Sequence, residues 1–332
     1  MRLEAARTLL RCPVCRSEKT LELRATASDA VEVREGELVC SRCATRFPVR
    51  RGVAELLVDP PAHVVREAAG LERFAAAMAE HGWTQERVLN LPYEQDGYWY
   101  VQATSFDQIM REVNPPPGAR VLDVGSNTCW ATSLLAKRGL EAVALDISTV
   151  EMQGLHTADW WFARGVYFER VLGSMTDMPI ASGSLDYVFC CEVLHHNDRP
   201  GLAQTFREAF RVLRPGGQLL VVNETLKRLT DPGGVHLGDM AQFEGHEHAH
   251  WAVQYRLQAR RAGFRTRVLA PAYHPFFAVP ELHLPPGTGS LRALREAAYY
   301  IARHSSLTRR AYLMWLNHVR GQAQITMVAT KP

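Results

Sequence analysis

Two C-x-x-C pairs, Cys12-Pro13-Val14-Cys15 and Cys40-Ser41-Arg42-Cys43, constrain the fold of this chain more than any other feature. Four thiolates at that spacing suit a tetrahedral zinc ion, and the metal replaces a core that so small a module cannot build. The alternating segments Leu21–Leu23 and Val31–Val33, followed by Glu35-Gly36-Glu37 as a turn, predict a hairpin with one cysteine pair before it and one after. A site closed by four sulfurs leaves no open position, so its expected role is structural. Cys129, Cys190 and Cys191 bring the cysteines to seven. An odd count with two metal-type pairs argues for metal plus free thiols, and for a reducing, cytoplasmic location.

The chain of 332 residues has room for more than one domain, and its 47% apolar content supports a large core. Asp59-Pro60-Pro61 breaks off the first module, which gives a ribbon over 1–61. The stretch 62–117 is Ala-rich and helical in pattern, then aromatic, with Trp83, Tyr93, Tyr98, Trp99, Tyr100 and Phe106. It reads as a cap packed on the rest, and Tyr93, Tyr98 or Trp99 is suited to line the mouth of a site. Asn114-Pro115-Pro116-Pro117-Gly118 marks the entry to a third region, 118–332. A net charge of +3 is too small to argue for nucleic acid. No apolar run reaches the length of a membrane span, and no signal peptide is visible.

In the third region, Val121-Leu122-Asp123-Val124-Gly125, the turn Ser126-Asn127-Thr128 and the helical pattern Cys129–Arg138 read as strand, tight turn, helix. That is the opening unit of a nucleotide-binding α/β sheet. Gly125 lets backbone approach a ligand, and Asn127 tolerates a left-handed turn where a Gly-rich loop would carry glycine. Ala142–Ile147 is a second strand, with Asp146 at its tip, where a carboxylate takes the ribose hydroxyls of an adenosine. Phe168–Gly173 is a third strand, followed by Asp177 and Met178 as candidate adenine contacts. Leu185–Glu192 is a fourth, with Cys191 and Glu192 at its end, and Gln218–Asn223 is a fifth. Arg265–Ala270 and Ala323–Thr330 complete the set around an insertion over 271–321, with helical patterns near Ser290–His304 and Leu307–Arg320. Arg292, Arg295, Arg303, Arg309 and Arg310 give the insertion a basic face.

The motifs Val-Leu-Asp123-Val-Gly125, Ala-Leu-Asp146-Ile147, Asp177-Met178-Pro179 through Asp186-Tyr-Val, Glu192-Val-Leu-His195-His196 and Arg211-Val-Leu-Arg-Pro215-Gly216-Gly217, in register, resemble the class I S-adenosylmethionine-dependent methyltransferases. The resemblance implies an α/β, Rossmann-like seven-stranded sheet and S-adenosylmethionine as cofactor. By it Asp123 and Gly125 border the methionine part, and the turn residues Ser126 and Asn127 also contact the cofactor. Asp146 and Ile147 meet the ribose, Asp177 and Met178 hold the adenine, and Cys191 and Glu192 lie at the mouth of the fourth strand. In the first module, Glu37–Leu57, with Cys40, Cys43, Phe47-Pro48-Val49 and Gly52, resembles a zinc-ribbon family. Its free-standing member is the activator subunit of tRNA, rRNA and release-factor methyltransferases. Arg51 stands where that family has a turn aspartate, and Val53-Ala54 where it has Ile-Pro. The likeness implies a scaffold role.

Methyl transfer is an in-line displacement in which the cofactor carries the reactivity and the protein supplies alignment and a dry site. A hydroxyl or acidic-carbon acceptor needs a base, and His195 and His196, directly after the fourth strand, are candidates. Packing on the cofactor or capping the next helix is the competing role. His246 and His250, in Glu244-Gly-His246-Glu247-His248-Ala-His250-Trp251, are further candidates. That spacing suits an acid/base contact, a metal, or a helix cap. The expected partner is a small-molecule acceptor of natural-product or metabolite type. The ribbon's likeness keeps open an RNA or protein acceptor, and the incomplete glycine loop keeps open a non-catalytic scaffold.

Overall fold

The computed structural model describes residues 1–94, 97–229, 247–274, 294, 306–315, 318–319 and 324–332. The ribbon comprises helix α1 (Leu3–Leu9) and strands β1 (Leu21–Ser28), β2 (Val33–Cys40), β3 (Arg46–Arg50) and β4 (Val53–Glu55). The hairpin is present, but its turn is not at Glu35-Gly36-Glu37. Those residues lie inside β2, where Gly36 faces Ala25 of β1. A Cβ on Gly36 would sit 2.3 Å from the Arg24 carbonyl oxygen, so close backbone approach, not a turn, requires the glycine. The chain reverses at Asp29, whose Oδ1 accepts the N–H groups of Val31 and Glu32 at 2.8 Å.

Three helices follow: α2 (Ala62–Glu80), α3 (Gln85–Leu89) and α4 (Gly97–Val113). On α2, Val64, Glu67, Leu71, Phe74 and Met78 share one face at helical spacing. The remaining strands are β5 (Arg120–Val124), β6 (Glu141–Asp146), β7 (Glu169–Leu172), β8 (Leu185–Cys191), β9 (Leu213–Glu224), β10 (Arg265–Leu269) and β11 (Ile325–Thr330). Helices α5 (Trp130–Lys137), α6 (Ala158–Phe162), α7 (Arg199–Val212), α8 (Ala252–Arg261) and α9 (Ser306–Trp315) complete the described elements. The sheet order is β1-β2-β3-β4-β7-β6-β5-β8-β9-β11-β10. Its last seven strands form the expected seven-stranded sheet, in which β11 runs antiparallel to both β9 and β10. Among the described residues the sheet has eleven strands, because β4 pairs in parallel with the edge strand β7, Ala54 opposite Val171 and Glu55 opposite Leu172.

That edge pairing explains both departures from the activator-family pattern. Ala54 occupies a ladder position where a proline would bring no N–H. Arg51, in the turn, reaches Asp159 of α6 at 2.8 Å and Glu151 at 3.0 Å. Asp159 also receives Arg34 and Arg170, and these cations hold its carboxyl below the usual range although burial opposes them. A second seam lies beside the first cysteine pair. The N–H of Arg11 donates to Pro179 O at 3.0 Å, and that of Ala181 to Leu9 O at 2.7 Å. The Arg11 guanidinium reaches Asp177 at 2.5 Å and Glu208 at 3.3 Å. Most of the insertion, with Arg292, Arg295 and Arg303, lies outside the described residues. No described helix is long and apolar enough to cross a membrane.

Candidate active site

A cavity of about 610 Å³ lies at the carboxyl ends of β5, β6 and β8, beneath α2 and α4. This is where open parallel sheets bind ligands, because the strand order reverses there and the flanking loops part. The loop after β5 is built from left-handed residues: Gly125 at φ +69°, Asn127 at +46° and Cys129 at +58°. Asn127 makes the turn that the sequence left to it. Cys129 takes the same conformation and carries α5 behind it. Gly125 is required by close packing, since a Cβ there would lie 2.3 Å from Val193 Cγ2.

Asp123 and Asp146 both line the cavity and are buried. The Thr132 hydroxyl donates to Asp123 at 2.5 Å. Burial still pushes the Asp123 carboxyl up to about 7. Asp146 accepts the N–H of Asn127 at 2.8 Å and of Ser148 at 2.9 Å, while burial lifts it to about 6. Ser126, Asn127 and Ile147 line the same wall. On the other side, Cys191 donates its thiol to Gln102 Oε1 at 3.2 Å. Glu192 accepts from the Tyr98 hydroxyl at 2.5 Å and from the Gln324 amide, and burial raises its carboxyl above the ordinary range. Trp99 and Trp130 meet edge to face with centroids 6.2 Å apart and line the cavity with Trp83. Tyr98 and Trp99 therefore take the mouth position expected of them, whereas Tyr93 is 57% exposed and does not line it.

His195 and His196 follow β8 and line the cavity. His195 Nδ1 lies 3.1 Å from Glu224 Oε2. Glu224, at the end of β9, is fully buried and is held by the N–H groups of Val193, Leu194 and His195 at 2.9 to 3.2 Å. His196 Nδ1 pairs with Glu67 of α2. Burial disfavours the charged form of His196, but Glu67, with Glu247 and Glu224 behind it, outweighs burial and raises its pKa above the usual imidazole value. Glu247 is buried and lines the same end.

Three expectations need correction. Asp177 and Met178 do not line the cavity: Asp177 faces Arg11 of the ribbon, and Met178 is fully buried in the core. Ser174, Met175 and Thr176, nearer the end of β7, take the wall they were expected to form. His250 is also outside the cavity; its Nε2 meets the Asn197 carbonyl at 2.8 Å and burial lowers its pKa. His246 lies outside the described residues. Among the residues missed were Glu67, Gln102 and Glu224. Glu67 left a signal, a carboxylate on the apolar stripe of α2; Gln102 and Glu224 left none.

In the ribbon, the four cysteine sulfurs gather within 4.8 Å of one another. Cys12 and Cys43 sulfurs are 3.7 Å apart, and those of Cys15 and Cys40 3.6 Å. A tetrahedron with metal–sulfur bonds of about 2.3 Å has edges of about 3.8 Å. The cluster has the size of a four-thiolate metal site.

The sheet, its order and the cavity at its switch point define a Rossmann-like α/β methyltransferase fold. Residues 122–221 match the family described as methyltransferase domain, and residues 8–52 the family described as Trm112p-like protein. The chain thus carries a methyltransferase domain preceded by a Trm112p-like zinc-ribbon domain. It is 35% identical over 107 residues to the biotin biosynthesis bifunctional protein BioHC of Cellvibrio japonicus, covering 31% of this chain and 19% of that protein. It is 33% identical over 116 residues to a ubiquinone biosynthesis O-methyltransferase of Xanthomonas axonopodis pv. citri, covering 34% of this chain and 45% of the relative. The chain therefore spans less than half the length of these curated relatives. The crystal structure of the [4+2]-cyclase SpnF is similar in fold, with a TM-score of 0.50 and 21% identity over 83% of this chain and 97% of that one.

Proposed function

We propose that this chain transfers a methyl group from S-adenosylmethionine to an oxygen of a small-molecule acceptor. One observation carries the reading: the same cavity is lined by Asp146 and by the His195, His196, Glu67 and Glu247 group. S-adenosylmethionine, when bound, supplies an electrophilic methyl on a sulfonium. The lining fits such a ligand. Thr128 Oγ1 is buried in the cavity wall without a protein partner, which marks a place for a ligand polar group. Asp123, Asp146, Glu192, Glu67 and Glu247 make the wall acidic, and none of the described residues lining it is lysine or arginine. A cationic ligand compensates that charge.

In this reading Asp146 and Ile147 hold the ribose, Asp123 to Asn127 border the methionine part, and Cys191 and Glu192 flank the transferring methyl. Ser174 to Thr176 replace Asp177 and Met178 at the adenine. The Tyr98 hydroxyl fixes Glu192, while α2 and α4 exclude water. The acceptor oxygen faces His195 and His196, whose Nδ1 atoms are already engaged by carboxylates, so each offers Nε2. A cavity under two helices favours a small molecule over an RNA or protein side chain, and the name of the Xanthomonas relative fits an oxygen acceptor. Residues 1–61 then form a zinc ribbon with zinc on Cys12, Cys15, Cys40 and Cys43, 62–117 a cap, and 118–332 the catalytic domain with the insertion over 271–321.

Calorimetric titration of S-adenosylmethionine and S-adenosylhomocysteine into the zinc-loaded protein tests the reading. Micromolar binding, on the order of −8 kcal/mol, is expected. Failure of both to bind would overturn it and favour a non-catalytic scaffold.

A further inference from the structure

We infer that His195, His196 and Glu247 form a binding site for a divalent first-row transition-metal ion at the acceptor end of the cavity. One ligand atom from each lies within 4.8 Å of the other two. His195 and Glu247 are buried, and all three line the cavity. Two imidazoles and one carboxylate on one side of a cavity leave positions open for a substrate, the pattern of reactive and not structural metal sites.

The surroundings of the two histidines carry the inference further than their proximity does. A metal-ligating histidine gives its other ring nitrogen to a carboxylate or carbonyl, which fixes the tautomer and turns the ring. His195 has this arrangement: its Nδ1 is on Glu224, itself locked by three backbone N–H groups, while His196 Nδ1 meets the Glu67 carboxylate as an ion-pair contact without hydrogen-bond geometry. The rings lie nearly side by side, with centroids 4.5 Å apart and planes 33° apart. Each keeps Nε2 for a metal. An ion with bonds of about 2.1 Å draws these atoms together by side-chain rotation. Glu67, Glu247 and Glu224 also place three carboxylates around two imidazoles, and the described lining holds no lysine or arginine to balance them.

The role rests on the methyltransferase reading; the ion site does not. With the ion held by His195, His196 and Glu247, an acceptor hydroxyl would lose its proton to solvent more readily. The acceptor oxygen's lone pair forms the new oxygen–carbon bond. The sulfur–carbon bond breaks, its electron pair returns to sulfur, and a neutral thioether and a methyl ether result. The acceptor class is therefore a small molecule with a metal-binding oxygen, such as a catechol or an enol beside a carbonyl.

The test titrates Mn²⁺ into the 332-residue chain carrying one equivalent of zinc, which the four thiolates take first, and follows the paramagnetic resonance of free Mn²⁺, which those thiolates bind poorly. One saturable equivalent is expected, weakened at least tenfold in His196→Ala and in Glu247→Gln. Circular dichroism identifies any variant that fails to fold, and the other variant then decides. Absence of saturable binding, or binding that neither variant weakens, would overturn the inference. Cofactor binding is measured separately in the same preparation. Mn²⁺ binding without S-adenosylmethionine binding would sink the methyltransferase reading and leave the ion site, and the reverse would do the opposite.

Discussion

The cysteine cluster of the ribbon and the histidine–glutamate cluster of the cavity both gather metal-ligating side chains, yet they are built in opposite ways. The cysteines come as two local pairs on one small hairpin module, and their sulfurs nearly close a tetrahedron. A metal bound by all four sulfurs has no open position, so the site can hold a fold together but has no place for a substrate. The other cluster is drawn from the turn after β8 and from residue 247, with Glu67 of α2 behind it, and it opens on a cavity. Its members are backed by carboxylates that orient them. A site assembled from distant elements depends on the whole fold, and it leaves positions open for chemistry. Arg11 connects the two regions: it follows α1 directly before Cys12, and its guanidinium holds Asp177, the residue after the Ser174–Thr176 wall of the cavity.

The largest effect is expected at the cysteines. Cys12→Ser with Cys40→Ser should remove one zinc per chain, and with it about 10 kcal/mol of the ribbon's folding free energy. Metal analysis with thermal unfolding checks this, and a zinc-free chain that melts like the parent would show that the cluster is not a metal site. Next is Arg11→Ala, which breaks a buried pairing with Glu208 and Asp177. A loss of about 3 kcal/mol in denaturant stability is expected, with a several-fold weaker affinity for S-adenosylmethionine as the 174–176 wall loosens. Unchanged cofactor affinity in a destabilised protein would mean that the two regions are uncoupled.

Asp146→Ala should weaken cofactor binding about 100-fold, the scale of two hydrogen bonds to a charged group. Parent-like calorimetry would remove Asp146 from the site. The smallest effect is on pH. Burial raises Asp146 to about 6, above the 3.8 of an unperturbed Asp. Its contribution to the stability of the unliganded fold is therefore fully present below about 3.8 and lost as pH rises through about 6. Ribose hydroxyls donate to the ionised form, so cofactor affinity runs the other way. It should be full above about 6 and fall about tenfold per unit below that. Asp123, which faces the same cavity and is raised by burial to about 7, extends the onset toward neutrality. A titration of affinity between pH 5 and 8 reads the profile, and Asp146→Asn should flatten its acid limb.

Much of the fold was legible because its signals are local. The cysteine pairs, the Val121–Gly125 strand with its turn, and Asp146 at the tip of the next strand all depend on spacing over a few residues. The structure keeps each in its expected element. The errors arose where packing overruled local pattern. Glu35-Gly36-Glu37 has the composition of a turn, but cross-strand contact with Arg24 uses its glycine inside a strand. Asp177 and Met178 stand near the right strand, but the ribbon's Arg11 claims the aspartate and the core takes the methionine. His250 belongs to an eye-catching histidine run, yet its ring is bound to the Asn197 carbonyl away from the cavity.

The sequence by itself determined a four-thiolate module, a parallel sheet that opens with Asp123 and Gly125, and a pair of histidines after the fourth strand. Each is set by residues close in the chain, where spacing fixes geometry. Only the tertiary structure decided that β4 extends the sheet at β7, and that Glu67 and Glu224 orient the two histidines. It alone brought Glu247 to complete their cluster. Two of those relations join residues more than a hundred positions apart, Ala54 with Val171 and Glu67 with His196. Local spacing carries no information about such pairs; burial of apolar surface and satisfaction of buried charge bring them together.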